Sequence, residues 1–153
     1  MRLTTKGRYA VTALLDLALH QQAGPTTISQ MAQRHGIPAT YLERLAGIMR
    51  AKGLLKSIRG PKGGYALARP ATEITVADII VAVDERIDTT RCKGKGNCHD
   101  GTMCLTHHLW DQLNQEIFHF LQGITLSALA AKPEPLTVKP LNWRSGHEPT
   151  LIF

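Results

Sequence analysis

The reading turns on residues 27–68, TISQMAQRHGIPATYLERLAGIMRAKGLLKSIRGPKGGYALA. Thr27 followed three residues later by Gln30 has the form of a capping box, in which the two side chains satisfy each other's free backbone N–H groups. Ile28, Met31 and Ala32 give a short helix its inner face, and Gly36 stands where helices end on a left-handed residue. Pro38, suited to a first helical turn, opens a second helix over about 39–52, halted by Gly53. Leu42, Leu45 and Met49 share its inner face, and Thr40, Glu43, Arg44 and Gly47 share the outer one. Two short helices joined by a glycine turn, the second with a polar and basic outer face, predict a helix-turn-helix over about 28–51. The strand-like runs 54–58 and 65–68 then bracket Arg59-Gly60-Pro61-Lys62-Gly63-Gly64, which predicts a hairpin. Placed directly behind a recognition helix, with Arg59 and Lys62 at its tip, this hairpin over 54–69 is a wing. Arginine at such a tip can enter a narrow minor groove, where the negative potential is enhanced. The plainer alternative is a helical hairpin followed by a solvated basic loop.

Upstream, residues 5–20 carry Ala10, Leu14, Leu17 and Ala18 at helical spacing, and Gly24-Pro25 breaks the run. Arg2, Lys6 and Arg8 before this apolar stretch imitate a secretory signal, but Asp16 and the helical period argue for a folded helix. No apolar run approaches the roughly 18 residues that span a bilayer, so the expectation is a cytoplasmic protein without a membrane segment. Residues 1–70 hold eleven Lys/Arg against two acids, Asp16 and Glu43, whereas residues 71–153 hold seven against ten. A basic half of this kind points to a polyanionic partner, and a dimer would double its field. At 153 residues the chain has length for one domain, or one domain plus an appendage, with a real core.

Downstream, Thr75 caps a helix whose stripe is Val76, Ile79, Ile80 and Val83, ending at Asp84-Glu85. From about Leu105 to Gln122 the chain is helical again. Leu109, Leu113, Ile117 and Leu121 step by four, with Trp110 and Phe120 beside them, which is more apolar surface than a small domain covers by itself. We read a dimerisation helix. A short helix follows over 125–131, and Pro133, Pro135, Pro140 and Pro149 break up a tail over 132–153 expected to be flexible. The expected organisation is a winged helix-turn-helix domain over 1–70 and a second region over 71–131 with the dimerisation helices and a metal loop.

That loop, RCKGKGNCHDGTMCLTHHLW over 91–110, holds all three cysteines of the chain, Cys92, Cys98 and Cys104, with His107 three residues beyond the last. An odd number of thiols suits no disulfide framework and fits a reducing compartment. Glycine loses the most freedom on ordering, so a segment this rich in it needs something besides packing to hold it. Three soft thiolates and an imidazole suit a thiophilic metal centre. Structural zinc sites use two close pairs, and Cys104 with His107 supplies only one, which leaves zinc as the less favoured ion. The wide Cys-x5-Cys-x5-Cys-x2-His spacing in a glycine loop suits an iron–sulfur cluster. A neutral histidine ligand leaves such a cluster less negative and more labile than four thiolates, which makes a gauge rather than a staple. His99 and His108 are rival fourth ligands on spacing alone.

Several segments together resemble one family. MRLTTKGRYAVTALLDLAL, IRGPKGGY, AVDE with TRCKGKGNC, and CLTHHLW, spread over residues 1 to about 129, are similar to the IscR family of iron–sulfur cluster-containing winged-helix transcriptional regulators. The resemblance implies a homodimer that carries a 2Fe–2S cluster on Cys92, Cys98, Cys104 and His107, supplied by the iron–sulfur assembly machinery. It further implies a regulator of cluster-biogenesis genes that represses its own operon with cluster bound and reaches a second class of site without it. DNA-contacting positions carried over from it are Thr40 (for a usual serine), Tyr41, Glu43, Arg44 (for a usual glutamine), Arg59 and Gly60. A carboxylate at Glu43 can accept from a cytosine amine but is repelled by guanine and thymine acceptors and by phosphate, so it would exclude one operator class. Cluster binding would then relieve that clash by shifting the 92–107 loop and the helices beside it. The competing expectations are a nitric-oxide or redox sensor of the same superfamily, which takes its fourth ligand elsewhere, and a cluster carrier. No nucleophile–base pair or paired acids emerge, so an enzyme is not expected.

Overall fold

A computed structural model describes residues 4–84 and 87–131. The elements run α1 (Thr5–His20), α2 (Ile28–His35), α3 (Ala39–Ala51), β1 (Leu55–Ile58), β2 (Gly64–Leu67), α4 (Val76–Ala82), α5 (His107–Gln122) and α6 (Leu126–Ala131), with 3-10 turns at Gln21–Ala23 and Ala71–Glu73. The architecture is mainly helical with one small antiparallel hairpin, as the sequence predicts. Arg2, Glu85 and the tail over 132–153 lie outside the described residues.

Local chemistry sets the boundaries of the reading half. The Thr27 hydroxyl accepts from the Gln30 N–H at 3.2 Å while Gln30 Oε1 accepts from the Thr27 N–H at 2.9 Å, which completes the capping box of α2. Gly36 ends α2 in the left-handed region at φ 63°. Pro38 is the N-cap of α3 rather than its first turn: its ψ of 129° is extended, and its carbonyl accepts from Tyr41 and Leu42. The strands pair Leu55 with Leu67 through Ile58 with Gly64, so β2 sits one residue earlier than the hydropathy pattern suggests. The shift has a cause. Tyr65 exchanges both backbone hydrogen bonds with Thr26 (3.0 and 2.8 Å), and a Cβ on Gly64 would lie 2.6 Å from the Thr26 carbonyl oxygen. Glycine at 64 therefore lets the wing lie against the connection between α1 and α2.

One hydrophobic core runs through the fold. Ala10, Leu14 and Leu17 of α1 meet Met31 of α2, Leu42, Leu45 and Met49 of α3, Leu54 and Leu55, then Ile74, Ile79 and Val83 around α4, and Leu126 of α6. α1 packs on both α3 and α4, so it is shared by the reading half and by the elements next to the cysteine loop. The predicted caps hold here too: Thr75 and Asp78 form a second capping box at α4.

α5 begins at His107, two residues later than the apolar pattern predicts. The Cys104 carbonyl accepts from the His107 N–H at 3.1 Å, a turn that leaves Leu105 and Thr106 outside the helix, Leu105 fully exposed. A four-residue step advances about 40° beyond a full helical turn. Leu109, Leu113, Ile117 and Leu121 therefore wind around α5 instead of forming a straight stripe. Ile117 and Leu121 are half-buried and line a groove with Val11 of α1 and Val76 and Ile80 of α4, whereas Leu109 and Leu113 face outward together with Phe120.

Candidate metal centre and nucleic-acid interface

The cysteine loop folds back so that Cys92, Cys98 and His107 converge. Their ligand atoms all lie within 4.8 Å of one another, with His107 Nδ1 3.5 Å from Cys92 Sγ and 3.6 Å from Cys98 Sγ. Two left-handed residues in succession, Lys93 at φ 55° and Gly94 at φ 76°, reverse the chain just after Cys92. His107 is buried, as the first residue of α5, and Cys92 is buried beneath the loop.

Cys104 stands next to this trio rather than in it. Its N–H donates to Cys98 Sγ at 3.1 Å, and its Sγ lies 3.8 Å from the Thr106 hydroxyl. A cavity of about 290 Å³ opens beside Cys98, Cys104, His107 and Trp110. His99 is exposed and turned into a backbone pair with Thr102, and His108 is exposed with its ring edge-on to His107. Neither joins the trio, so geometry separates His107 from its sequence rivals.

Burial pushes the Cys92 thiol up, but its polar contacts with the Gly96 N–H, the Cys98 and Thr90 side chains and the Gly94 N–H outweigh it and bring the pKa to about 7. The Cys104 thiol is also lowered, above all by its hydrogen bond to Cys98, against an opposing contribution from burial. Cys98 moves the other way. The Cys104 N–H favours its thiolate, yet its thiol contact with Cys104, burial and its contact with Cys92 together raise it. Thiolates are the metal-binding form, so two of the three sulfurs are biased toward it.

A second set of residues supports this loop, and no spacing or motif singles them out. Asn114 of α5 binds Thr89 and Asp88, and Asp88 binds Thr90. Asp16 is likewise unanticipated as a partner: buried on α1, it receives Arg34 at 3.0 and 2.6 Å and lies 2.8 Å from His35 Nε2, which ties α1 to α2. A carboxylate on an apolar stripe signals that a partner must exist. It does not say that the partner lies eighteen residues on.

Thr40, Glu43 and Arg44 are exposed on the outer face of α3, and Arg59, Gly60 and Lys62 are exposed at the wing. Among the described residues none forms a salt bridge with Glu43. Tyr41 differs from the rest. It is half-buried, edge-on to Tyr9 of α1 with ring centroids 5.7 Å apart, so its ring positions the recognition helix.

Helix-turn-helix, exposed basic wing and shared core define a winged-helix DNA-binding protein, and comparison with known proteins agrees. Residues 3–132 match the model of the Rrf2 family, described as an iron-dependent transcriptional regulator. The chain belongs to the Rrf2 family of transcriptional regulators. It is 48% identical over 150 residues to the HTH-type transcriptional regulator IscR of Cronobacter sakazakii, covering 98% of this chain and 93% of that one. It is 51% identical over 138 residues to IscR of Serratia proteamaculans, covering 90% and 84%. Among solved structures it is similar to T. potens IscR (34% identity, TM-score 0.73, covering 88% of this chain and 89% of that one). CymR, the global cysteine regulator of B. subtilis, shares the fold at 32% identity and TM-score 0.75, covering 86% and 97%. The chain is thus a transcriptional regulator and not an enzyme, and among its described residues no helix is long and apolar enough to cross a membrane.

Proposed function

We propose that this regulator senses iron–sulfur cluster supply: one 2Fe–2S cluster per chain, held by Cys92, Cys98, Cys104 and His107, selects between operator classes of cluster-biogenesis genes. The observation that carries the reading is the convergence of two thiols and a buried imidazole within 4.8 Å, from a glycine-rich loop. The donor set fits the group. Soft sulfur and borderline nitrogen suit iron, and Cys104, whose backbone N–H donates to Cys98 Sγ, is the neighbouring thiol that would complete the set. Bound there, the cluster would supply a labile, redox-active charge at the start of α5.

The chain's own residues do the rest. Thr40, Glu43 and Arg44 face the major groove, Arg59 and Gly60 approach the backbone and minor groove, and Tyr41 holds the helix that carries the first three. Glu43 excludes operators lacking a cytosine amine at its position. Residues 1–70 read DNA and 71–131 sense and dimerise, through the outward row Leu109, Leu113 and Phe120. The assembly machinery supplies the cluster, and the protein acts in the cytoplasm, where the chromosome is.

Anaerobic purification, visible spectroscopy and iron and sulfide counts test this. Two irons and two sulfides per chain, lost in His107→Ala, are expected. A colourless protein holding one zinc would leave a DNA-binding regulator with a structural ion and remove the sensor.

A further inference from the structure

Every donor in the cysteine loop must be placed by something other than packing, and for Cys92 the placement traces to α5, through the Asn114 amide and the Trp110 carbonyl, which accepts from the Thr89 hydroxyl at 3.0 Å. His107 and Asn114 are seven residues apart, close to two helical turns, so both point from the same face. Asn114 Oδ1 accepts from the Thr89 N–H and the Thr89 hydroxyl, both at 2.8 Å, while its Nδ2 donates to Asp88 Oδ1 at 3.1 Å. The same Asp88 oxygen accepts from the Thr90 N–H at 2.7 Å and the Thr90 hydroxyl at 2.5 Å. Thr90 Oγ1 accepts from the Gly94 N–H at 2.8 Å, which closes the turn that carries Cys92. The polar chain from the helix thus reaches the residues on both sides of the ligand.

We propose that Asn114, acting through Asp88 and Thr90, is the positioning residue of the metal centre: it clamps the entry of the loop to the helix that carries His107. The inference rests on the metal reading above. Its logic is geometric. The exit of the loop is α5 itself, and the clamp makes the entry move with α5 too, which keeps Cys92 at 3.5 Å from His107 Nδ1. The span between, where Lys93, Gly94, Gly96, Asp100 and Gly101 have positive φ, is left to adjust and carries Cys98 and Cys104.

The chemistry calls for asparagine. One end of the side chain must accept from two donors and the other must donate to a carboxylate, which fixes the orientation of the amide. Aspartate there would set a second negative charge against Asp88. Leucine would leave the Thr89 N–H and Asp88 with lost partners. Partners that orient a ligand without touching the metal typically change metal affinity or activity 10–100-fold.

The test uses the full chain reconstituted anaerobically with ferrous iron and sulfide, then challenged with EDTA while the visible absorbance is followed. Asn114→Ala is expected to lose the chromophore about 10–100 times faster than wild type, with the apo protein still folded by circular dichroism. Thr90→Val should show the same loss and Thr90→Ser should retain the wild-type rate. The double variant Asn114→Ala/Thr90→Val should be no worse than either single one, because both break one chain. Wild-type retention in Asn114→Ala, or single losses that multiply in the double variant, would overturn the clamp and leave the metal reading intact. If Asn114→Ala fails to fold, Thr90→Val decides: retention equal to Thr90→Ser overturns the proposal. A wild-type chain that takes up no chromophore removes the metal reading, and the clamp with it.

Discussion

Asp16 occupies the inner face of α1, where an unanswered carboxylate would be strongly destabilising. Burial alone would raise its pKa. Hydrogen bonds from Arg34 and His35, with the charges of Arg34 and His20, outweigh burial and hold it below the ordinary value of 3.8. A lowered carboxyl stabilises the fold above its unfolded pKa and loses that contribution as pH falls through the folded one. Asp16→Asn should therefore lower the melting temperature at neutral pH, and its difference from wild type should shrink as pH drops below about 4. Lost hydrogen bonds to charged groups cost roughly 1–3 kcal/mol, and the side chains of Arg34 and His35, about a third exposed, can rehydrate. The low half of that range predicts a fall of roughly 3–6 °C. A difference that persists unchanged to acidic pH, followed by calorimetry, would rule out the ion pair as its source. Thr27, Gly36 and Thr75 were legible as single residues because capping is local. Asp88, Thr90 and Asn114 were not, because their partnership exists only once α5 lies beside the loop.

α5 shows how a pattern can be right in kind and wrong in direction. Its apolar residues step by four, and the resulting drift divides them between an inner face with Ile117 and Leu121 and an outer row of Leu109, Leu113 and Phe120. The outer row is 58%, 38% and 63% exposed, a run of large side chains that a second copy of α5 could cover. Leu113→Glu should convert a dimer to a monomer in sedimentation experiments while the far-ultraviolet circular dichroism of the helices is retained. A wild-type monomer at micromolar concentration would count against this face as a dimer contact. The start of α5 was misjudged by two residues for a related reason: Leu105 has the hydropathy of a helical position but lies in the turn that delivers His107 to the thiols.

On the scale of the molecule, charge and fold divide the labour legibly. The basic residues concentrate in 1–70, and the structure exposes Arg44, Arg59 and Lys62 on the face formed by α3 and the wing. A dimer neutralising 6–10 phosphates should lose about 10³–10⁵ in duplex affinity between 50 and 200 mM salt. Glu43→Ala should preserve that slope while letting the apo protein bind operators that wild type takes only with cluster. An apo affinity unmoved by the substitution would remove Glu43 as the gate. The fold was readable because helix-turn-helix, wing and caps are written in short-range spacing. The site was readable only as a set of donors, since which imidazole turns toward the sulfurs depends on a tertiary fold-back.

The core shared through α1 has a consequence for inheritance. Leu14 and Leu17 lie in a core to which both α3 and α4 contribute, so cutting the gene near codon 70 would strip one side of that helix. Regulators joined by linkers can trade sensors by recombination. This one has no seam at which to trade, and new specificities must arise by substitution within the whole.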